Sequence, residues 1–181
     1  VPAGVEVLVC PPTIDITTVH DRIQAAPIAL GAQNVYWEAK GAFTGESSCD
    51  MLKSAGCTYC IIGHSERRQY FGETDETVRD RVRAALNAGL KVILCVGEVL
   101  EERQLGITAE IVRKQTKVAL SGVSEAELAN IIIAYEPVWA IGTGLTATPE
   151  QANEVCAVIR ALVAELYSKD AADHFVIQYG G

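Results

Sequence analysis

The sequence predicts an α/β protein in which parallel strands alternate with helices. Six short apolar runs rich in β-branched residues recur along the chain, and amphipathic segments separate them. The runs are continuously apolar rather than alternating, which is typical of strands buried on both faces of a parallel sheet. Each run begins far enough after the previous one to leave room for a crossover helix. With 181 residues, 49% of them hydrophobic, the chain fits a single domain with a packed core.

The strands are predicted in chain order from these runs, at residues 5–10, 28–32, 58–62, 91–96, 131–135 and 175–179. A helix is predicted at residues 76–88, because Val78, Val82 and Ala85 recur on one face and Gly89 follows as a stop. Another helix begins after Thr148, which precedes Pro149 in a capping pattern. Six strands and about five helices are expected over residues 1–181.

Two architectures share this alternation, an open doubly wound sheet and a (β/α)8 barrel. No Gly-x-Gly-x-x-Gly or P-loop follows a strand, and Gly142-Thr143-Gly144 matches such a motif poorly because it lacks the third glycine. In both architectures the active site lies at the carboxyl ends of the strands. Candidate residues are therefore sought where the predicted strands end.

Composition excludes several classes of function. The net charge is −8, from 15 basic and 23 acidic residues without a basic patch, so a nucleic-acid partner is not expected. No apolar stretch reaches the ~20 residues of a membrane span, and no signal peptide pattern opens the chain. Six cysteines do not make a disulfide framework in a chain of this size, which favours the cytoplasm. Cys57 and Cys60 form a C-x-x-C, but Cys60 lies within a predicted strand rather than at a helix start, so a redox role is not expected. The three histidines are too far apart in sequence to suggest a metal site.

His64 follows the third predicted strand, where a helix begins. The positive end of the helix dipole opposes a further positive charge, so we expect the pKa of the imidazole to be lowered. A neutral histidine here can donate a hydrogen bond to a substrate oxygen. A capping or buried structural histidine fits the same position, and position alone favours that interpretation.

Glu136 ends the fifth predicted strand and is a candidate general base. The next residues pass from Pro137 through an apolar stretch to a glycine pair, which is the composition of a hinged lid whose N–H groups can bind an anion. An ordinary strand-to-helix loop is an equally good interpretation. Tyr179, Gly180 and Gly181 follow the last strand, where glycines allow a ligand to approach the backbone.

Three longer segments are more specific, namely residues 62–68 (IGHSERR), residues 134–144 (AYEPVWAIGTG), and residues 31–34 with 41–46 (GAQN and GAFTGE). Through these segments, and along its whole length, the chain resembles the triosephosphate isomerase family. The resemblance implies the TIM barrel among the two architectures. It also implies the cofactor-independent interconversion of glyceraldehyde 3-phosphate and dihydroxyacetone phosphate in glycolysis and gluconeogenesis.

The resemblance implies roles for individual residues. Triosephosphate isomerase is itself a standard example of a glutamate base beside a neutral histidine, so Glu136 would move the proton between the two carbons and His64 would serve the two oxygens. Ser65 and Glu66 would support the pair, with Ser65 holding the resting Glu136. Gly142 would give its N–H to the substrate phosphate, and Tyr179 would latch the closed lid. The implied lid and phosphate residues are Pro137, Val138, Trp139, Ile141, Gly142, Thr143, Gly144, Ala147, Tyr179, Gly180 and Gly181.

A homodimer is also implied, because residues 33–46 are similar to a loop that inserts into a second subunit. The interface residues would be Gln33, Asn34, Phe43, Thr44, Gly45 and Glu46. The partners expected are therefore a triose phosphate and a second copy of the chain, with no metal, nucleic acid or membrane.

Two departures from the family open alternatives. The strand that carries an Asn and a Lys is absent before Val1, and nothing corresponds to the strand after Gly181, so about 70 of the ~250 residues of a barrel are missing. We expect the chain to be part of a longer isomerase and to be inactive by itself, since it lacks the lysine that would face the phosphate. The alternative is a chain that ends here and acts only as a dimer partner or binding module. Another phosphate-binding barrel enzyme would share the fold but does not account for His64 and Glu136.

Overall fold

A computed structural model describes residues 1–180, and Gly181 lies outside the described residues. Six strands neighbour one another in chain order, and the pairs β1–β2, β2–β3 and β5–β6 are parallel. The strands are β1 (Val7–Val9), β2 (Ile28–Ala32), β3 (Tyr59–Ile62), β4 (Lys91–Val96), β5 (Ile131–Tyr135) and β6 (Ile177–Tyr179). All six predicted strands are present, although β1, β3 and β6 are shorter than the apolar runs that predicted them.

The described residues form eight α-helical segments rather than about five, because three connections each carry two helices in succession. Gly72, with a φ of 67°, ends the first helix of one such pair. The helices are α1 (Ile16–Ile23), α2 (Cys49–Ser54), α3 (Ser65–Phe71), α4 (Asp75–Asn87), α5 (Leu100–Gln104), α6 (Thr108–Ala119), α7 (Pro149–Leu166) and α8 (Lys169–His174). Single turns of 3₁₀ helix lie at Thr13–Asp15 and Val138–Ala140, and a longer one at Glu125–Asn130.

The two helices predicted in detail are confirmed. On α4, the side chains of Val78, Val82 and Ala85 are fully buried. At the start of α7, the Thr148 hydroxyl accepts the N–H of Gln151 at 3.2 Å, and the Gln151 amide oxygen accepts the N–H of Thr148 at 2.9 Å. This reciprocal capping satisfies donors that the first helical turn leaves unpaired.

The chain divides into two compact units. The first comprises Val1–Ile62 and Asp80–Ile93, and its core gathers apolar side chains from β2, β3 and the start of β4. The second comprises Gly63–Arg79 and the chain from Leu94 onward. Its core is formed by the end of β4, by β5 and by the buried face of α7, including Leu94, Ile133, Tyr135, Ile159 and Leu162. Both His64 and Glu136 belong to this second unit.

Candidate active site

His64 lies between the end of β3 and the start of α3. Gly63 turns the chain out of the strand with a φ of 77°, which a side chain would resist. His64 is the N-cap residue of α3, and its Nδ1 accepts the N–H of Glu66 at 3.3 Å. A ring nitrogen that accepts a hydrogen bond carries no proton, so the neutral ring has its proton on Nε2. The start of α3 thereby selects the tautomer that donates through Nε2.

Glu136 follows the last residue of β5, and its backbone N–H donates to the carbonyl of Val96 at 2.8 Å. Its side chain is buried. Oε1 lies 3.0 Å from Nε2 of His64, and Oε2 accepts the backbone N–H of Ser65 at 3.1 Å. Two residues separated by more than seventy positions in sequence are thus brought into direct contact, and the carboxylate is held by donors on both oxygens.

The pKa of His64 is raised from its ordinary value, which corrects the lowering expected from the sequence. The hydrogen bond that the ring donates to the Glu136 carboxylate is the largest cause, and it outweighs the desolvation that favours the neutral ring. The sequence could place His64 at a helix start, but it could not show that the resting carboxylate lies against Nε2.

Ser65 and Glu66 flank this pair differently. Ser65 is buried and contributes its backbone N–H to Glu136. The Glu66 side chain is largely exposed, and its carboxylate lies 3.7 Å from Nδ1 of His64, on the opposite side of the ring from Glu136. Its negative charge adds to the rise in the pKa of His64.

The segment that was predicted to be a lid runs from Pro137 to the cap of α7. Trp139, Ala140 and Ala147 are buried together and anchor both of its sides. Between them, Gly142 and Gly144 adopt φ values of 68° and 78°, and the hydroxyl of Thr143 donates to the carbonyl of Trp139 at 2.9 Å. Ile141 is half-buried, as is Val138. The segment therefore has fixed ends and a middle that turns at two glycines.

Sequence reasoning missed Glu98, which is fully buried two residues after β4. Its carboxylate accepts Nε1–H of Trp139 at 2.9 Å, Nη1–H of Arg103 at 3.0 Å and the hydroxyl of Tyr135 at 3.2 Å. The Arg103 guanidinium also lies 4.8 Å from the centre of the Trp139 ring. Burial and the Glu98 charge raise the pKa of Tyr135. The sequence did carry a signal for Glu98, namely a carboxylate just after a predicted buried strand. The same signal made Glu136 a candidate.

Gly97 was also missed, and it allows β4 and β5 to approach closely at the site. A Cβ at this position would lie 1.7 Å from the carbonyl oxygen of Glu136, which is an impossible contact. Gly97 and Ser65, with Trp139 and Ile141 of the lid segment, line an open cavity of about 600 Å³. The lid segment and Ser65, whose N–H binds the Glu136 carboxylate, therefore border one accessible space.

The end of β6 lies next to Tyr135 and Glu136. The N–H of Gly180 donates to the carbonyl of Tyr135 at 2.8 Å, and a Cβ on Gly180 would lie 3.8 Å from Cγ of Glu136. The Tyr179 ring stands edge-on to that of Tyr135, with 6.2 Å between centroids. The predicted latch between Tyr179 and Ala147 stays a prediction, and the phosphate role of Gly181 falls outside the described residues.

The loop predicted to form an interface lies in the first unit. Its start is pinned by the Gln33 side chain, which donates to the carbonyl of Cys10 at 3.0 Å, and by Arg81, whose Nε–H donates to the carbonyl of Val35 at 2.9 Å. Asn34 and Glu46 are half-buried near its two ends. Phe43 packs against Tyr36 yet stays 40% exposed. Thr44 and Gly45, at the tip, are exposed.

Among residues 1–180, no cluster of His, Cys, Asp or Glu is arranged to hold a metal ion. No helix of this part of the chain combines the length and apolar character that crossing a membrane requires. The six cysteines are free thiols, and Cys60 lies inside β3.

The strand order and a Glu–His pair at the carboxyl ends of parallel strands are those of a partial (β/α)8 barrel. The sequence profile of the family Triosephosphate isomerase matches residues 1–181. A triosephosphate isomerase of Caldanaerobacter subterraneus is 57% identical over 179 residues, covering 99% of this chain and 72% of that protein. Those of Acetivibrio thermocellus and Prosthecochloris aestuarii are 55% and 56% identical, each with 71% of its length covered, and they align with 99% and 100% of this chain.

The chain therefore belongs to the triosephosphate isomerase family. It spans 71–72% of the length of these three relatives. The fold is the α/β fold of that family, with six of the strands of a TIM barrel.

Proposed function

We propose that the residues described here form the catalytic centre of a triose-phosphate isomerase, which interconverts glyceraldehyde 3-phosphate and dihydroxyacetone phosphate through an enediol(ate). The observation that carries the proposal is the contact between Glu136 and His64, 3.0 Å from Oε1 to Nε2, with Nδ1 occupied by the start of α3. A base and a neutral donor close to one another are what a proton shift between adjacent carbons requires.

In this mechanism Glu136 takes a proton from one carbon and returns it to the other. His64 donates through Nε2 to the substrate oxygens as charge develops on them. Substrate entering the site separates the carboxylate from the ring, which removes the main cause of the raised pKa. The Glu66 N–H on Nδ1 then favours the neutral ring that the reaction needs.

The lid segment supplies the remaining parts. Gly142 offers its backbone N–H to the phosphate, and closure excludes water so that the enediol(ate) does not lose phosphate. Trp139 holds one side of the lid through Glu98. Tyr179 latches the other side near Ala147, and the glycines after it let the substrate approach the backbone.

We further propose that the protein acts as a cytoplasmic homodimer without a cofactor, with residues 33–46 inserted into the partner and Thr44 near the partner's site. The exposed Phe43 supports an interface at this loop. Tyr70 and Phe71, on α3 beside the catalytic residues, are each 68% exposed, and such aromatic side chains are typical of interface cores. These two rings give the partner's loop an apolar surface to cover.

The proposal is tested by assaying both directions of isomerisation in the protein expressed from its complete gene, in Glu136→Gln and in the control Glu150→Gln. Loss of general base catalysis should lower kcat by about 10²- to 10⁴-fold in Glu136→Gln. Glu150 is exposed in the first turn of α7, so its substitution should leave kcat unchanged. Equal activity of Glu136→Gln and the parent would refute the assignment.

A polypeptide of residues 1–181 belongs in the same assay. The chain carries a net charge of −8, and a dianionic substrate needs a cationic partner at the site. We therefore propose that this polypeptide alone turns over far more slowly than the product of the complete gene. Equal rates would contradict the electrostatic part of the proposal.

A further inference from the structure

Gln115, on α6, makes a two-point contact with the end of β4. Its Oε1 accepts the N–H of Gly97 at 2.8 Å, and its Nε2 donates to the carbonyl of Gly97 at 3.1 Å. The side-chain amide thus pairs with Gly97 as a neighbouring strand would pair with a strand residue. The inner face of α6 is buried through Val112, Thr116 and Ala119. The helix that carries the Gln115 amide is therefore held in place by packing.

The segment at Gly97 lies directly against the backbone of Glu136. The Glu136 N–H donates to the carbonyl of Val96, the residue before Gly97, at 2.8 Å. The Glu136 carbonyl faces Gly97 so closely that a Cβ there would lie 1.7 Å from it. The segment that Gln115 holds therefore constrains the positions of both the N–H and the carbonyl of Glu136.

The next residue, Glu98, extends this dependence to residues on both sides of Glu136 in sequence. Glu98 accepts the hydroxyl of Tyr135, just before the base, and Nε1–H of Trp139, three residues after it. A shift of Gly97 would displace Glu98 and, through it, the base and the start of the lid.

We propose that Gln115 is a positioning residue, which fixes the backbone of Glu136 by clamping Gly97. The role of Glu136 as the base rests on the function proposed above, whereas the clamp itself is a property of the fold. This role requires no contact of Gln115 with substrate or with His64. Gln115 acts by restricting where the carboxylate of Glu136 can stand relative to Nε2 of His64.

Gln115→Met tests the proposal in the protein expressed from its complete gene, because it keeps the length of the side chain and removes both hydrogen bonds. Misplacement of a reacting group by about 1 Å costs up to about 10²-fold in rate, so kcat should fall by about 10- to 100-fold while KM changes by less than about threefold. Ser168→Ala is the matched control. It removes two hydrogen bonds at the start of α8 and should leave kcat within about twofold of the parent.

Hydrogen exchange provides a readout that does not need activity. Gln115 and Gly97 both line the open cavity, so loss of the amide should expose the Gly97 N–H and speed its exchange at least about tenfold. The Glu136 N–H should also exchange faster, since Val96 is no longer fixed. Gln115→Glu keeps an acceptor for the Gly97 N–H but no donor for its carbonyl. It should keep Gly97 protected and give a kcat between those of the parent and Gln115→Met.

The outcomes separate the two proposals. Fast exchange at Gly97 and Glu136 with a reduced kcat in Gln115→Met, and neither in Ser168→Ala, supports the positioning role. Unchanged exchange, or fast exchange with a parental kcat, overturns it. A parent without isomerase activity would refute the proposed function, and the exchange data would then still decide whether the clamp exists.

Discussion

His64 is acted on by two groups with opposite effects on its charge. The Glu66 N–H on Nδ1 favours the neutral ring, and the Glu136 carboxylate beside Nε2 favours the protonated ring. The carboxylate dominates in this resting arrangement. Protonation of Nδ1 would break its hydrogen bond to the start of α3, so a charged His64 is poorly suited to the proposed reaction.

A pH prediction follows from the direction of this shift. The pKa of folded His64 lies above its ordinary value of 6.5, so the pair adds stability that is fully present below pH 6.5 and is lost as pH rises through the folded pKa. The difference in free energy of unfolding between the parent and His64→Gln should therefore shrink as pH increases above 6.5. Denaturant unfolding at a series of pH values measures this difference.

The cause of the shift is tested by NMR titration of the His64 ring. Glu136→Gln should lower its pKa toward or below the ordinary value, since desolvation then remains. Glu150→Gln should leave the titration unchanged. A His64 that titrates identically in the parent and Glu136→Gln would show that the two side chains are not in contact.

Gly142→Ala tests a single backbone conformation in the lid segment. Nothing lies within 4 Å of an added Cβ, so the cost comes only from the φ of 68°, and the left-handed region costs a side chain about 1–2 kcal/mol. We expect the lid to leave this conformation and kcat/KM to fall by about 5- to 30-fold. Gly89→Ala is the control. Gly89 follows α4 with a φ of 79° and equally open space, so an alanine there should be strained as much as at Gly142 but should leave kcat/KM unchanged.

At the residue scale the sequence indicated His64 and Glu136 as candidates, because Glu136 directly follows an apolar run and His64 follows one after a single glycine. It could not give the direction of the His64 pKa, because that depends on a residue far away in sequence. Glu98 and Gly97 were missed since a short Gly-Glu pair after a strand resembles any polar loop. Their roles come from Trp139, Gln115 and the neighbouring strand, which only the tertiary structure brings close.

The start of α7 was predictable because its capping is local. Thr148, Pro149 and Gln151 are close in sequence and complete the cap among themselves. The division of three connections into pairs of helices was not predicted. Short helices such as α3 and α5 are stabilised by packing rather than by a long apolar repeat, so they leave little periodicity to detect.

Thr148→Ala is a test at the scale of this element, since the cap joins the end of the lid segment to α7. Loss of the hydroxyl leaves the Gln151 N–H without its acceptor and should lower the free energy of unfolding by about 1 kcal/mol. Thr148→Ser keeps the acceptor and should retain most of the stability. Thermal or denaturant unfolding of the three proteins decides the point, and equal stability of the Ala and Ser variants would contradict it.

At the scale of the whole molecule, membership of the family is shown by a match over the entire chain. The dimer is a proposal, and it rests on exposed aromatic side chains. Phe43→Asp places a charge in the proposed interface and should convert a dimer into a monomer in analytical ultracentrifugation. Ile14→Asp adds the same charge at a residue that is 88% exposed and should remain dimeric. Monomeric parent protein would refute the interface.

In the proposed mechanism, Glu136 carries a proton between adjacent carbons of a triose phosphate while His64 serves the oxygens. The most direct measurement is solvent isotope incorporation, with dihydroxyacetone phosphate converted in D₂O by the protein from its complete gene. A carboxylate that takes and returns the proton exchanges it with solvent, so deuterium should appear on the carbon that gains the proton, and Glu136→Gln should abolish this incorporation. Product formed without solvent deuterium, or deuterium incorporated equally fast by Glu136→Gln, would contradict the account.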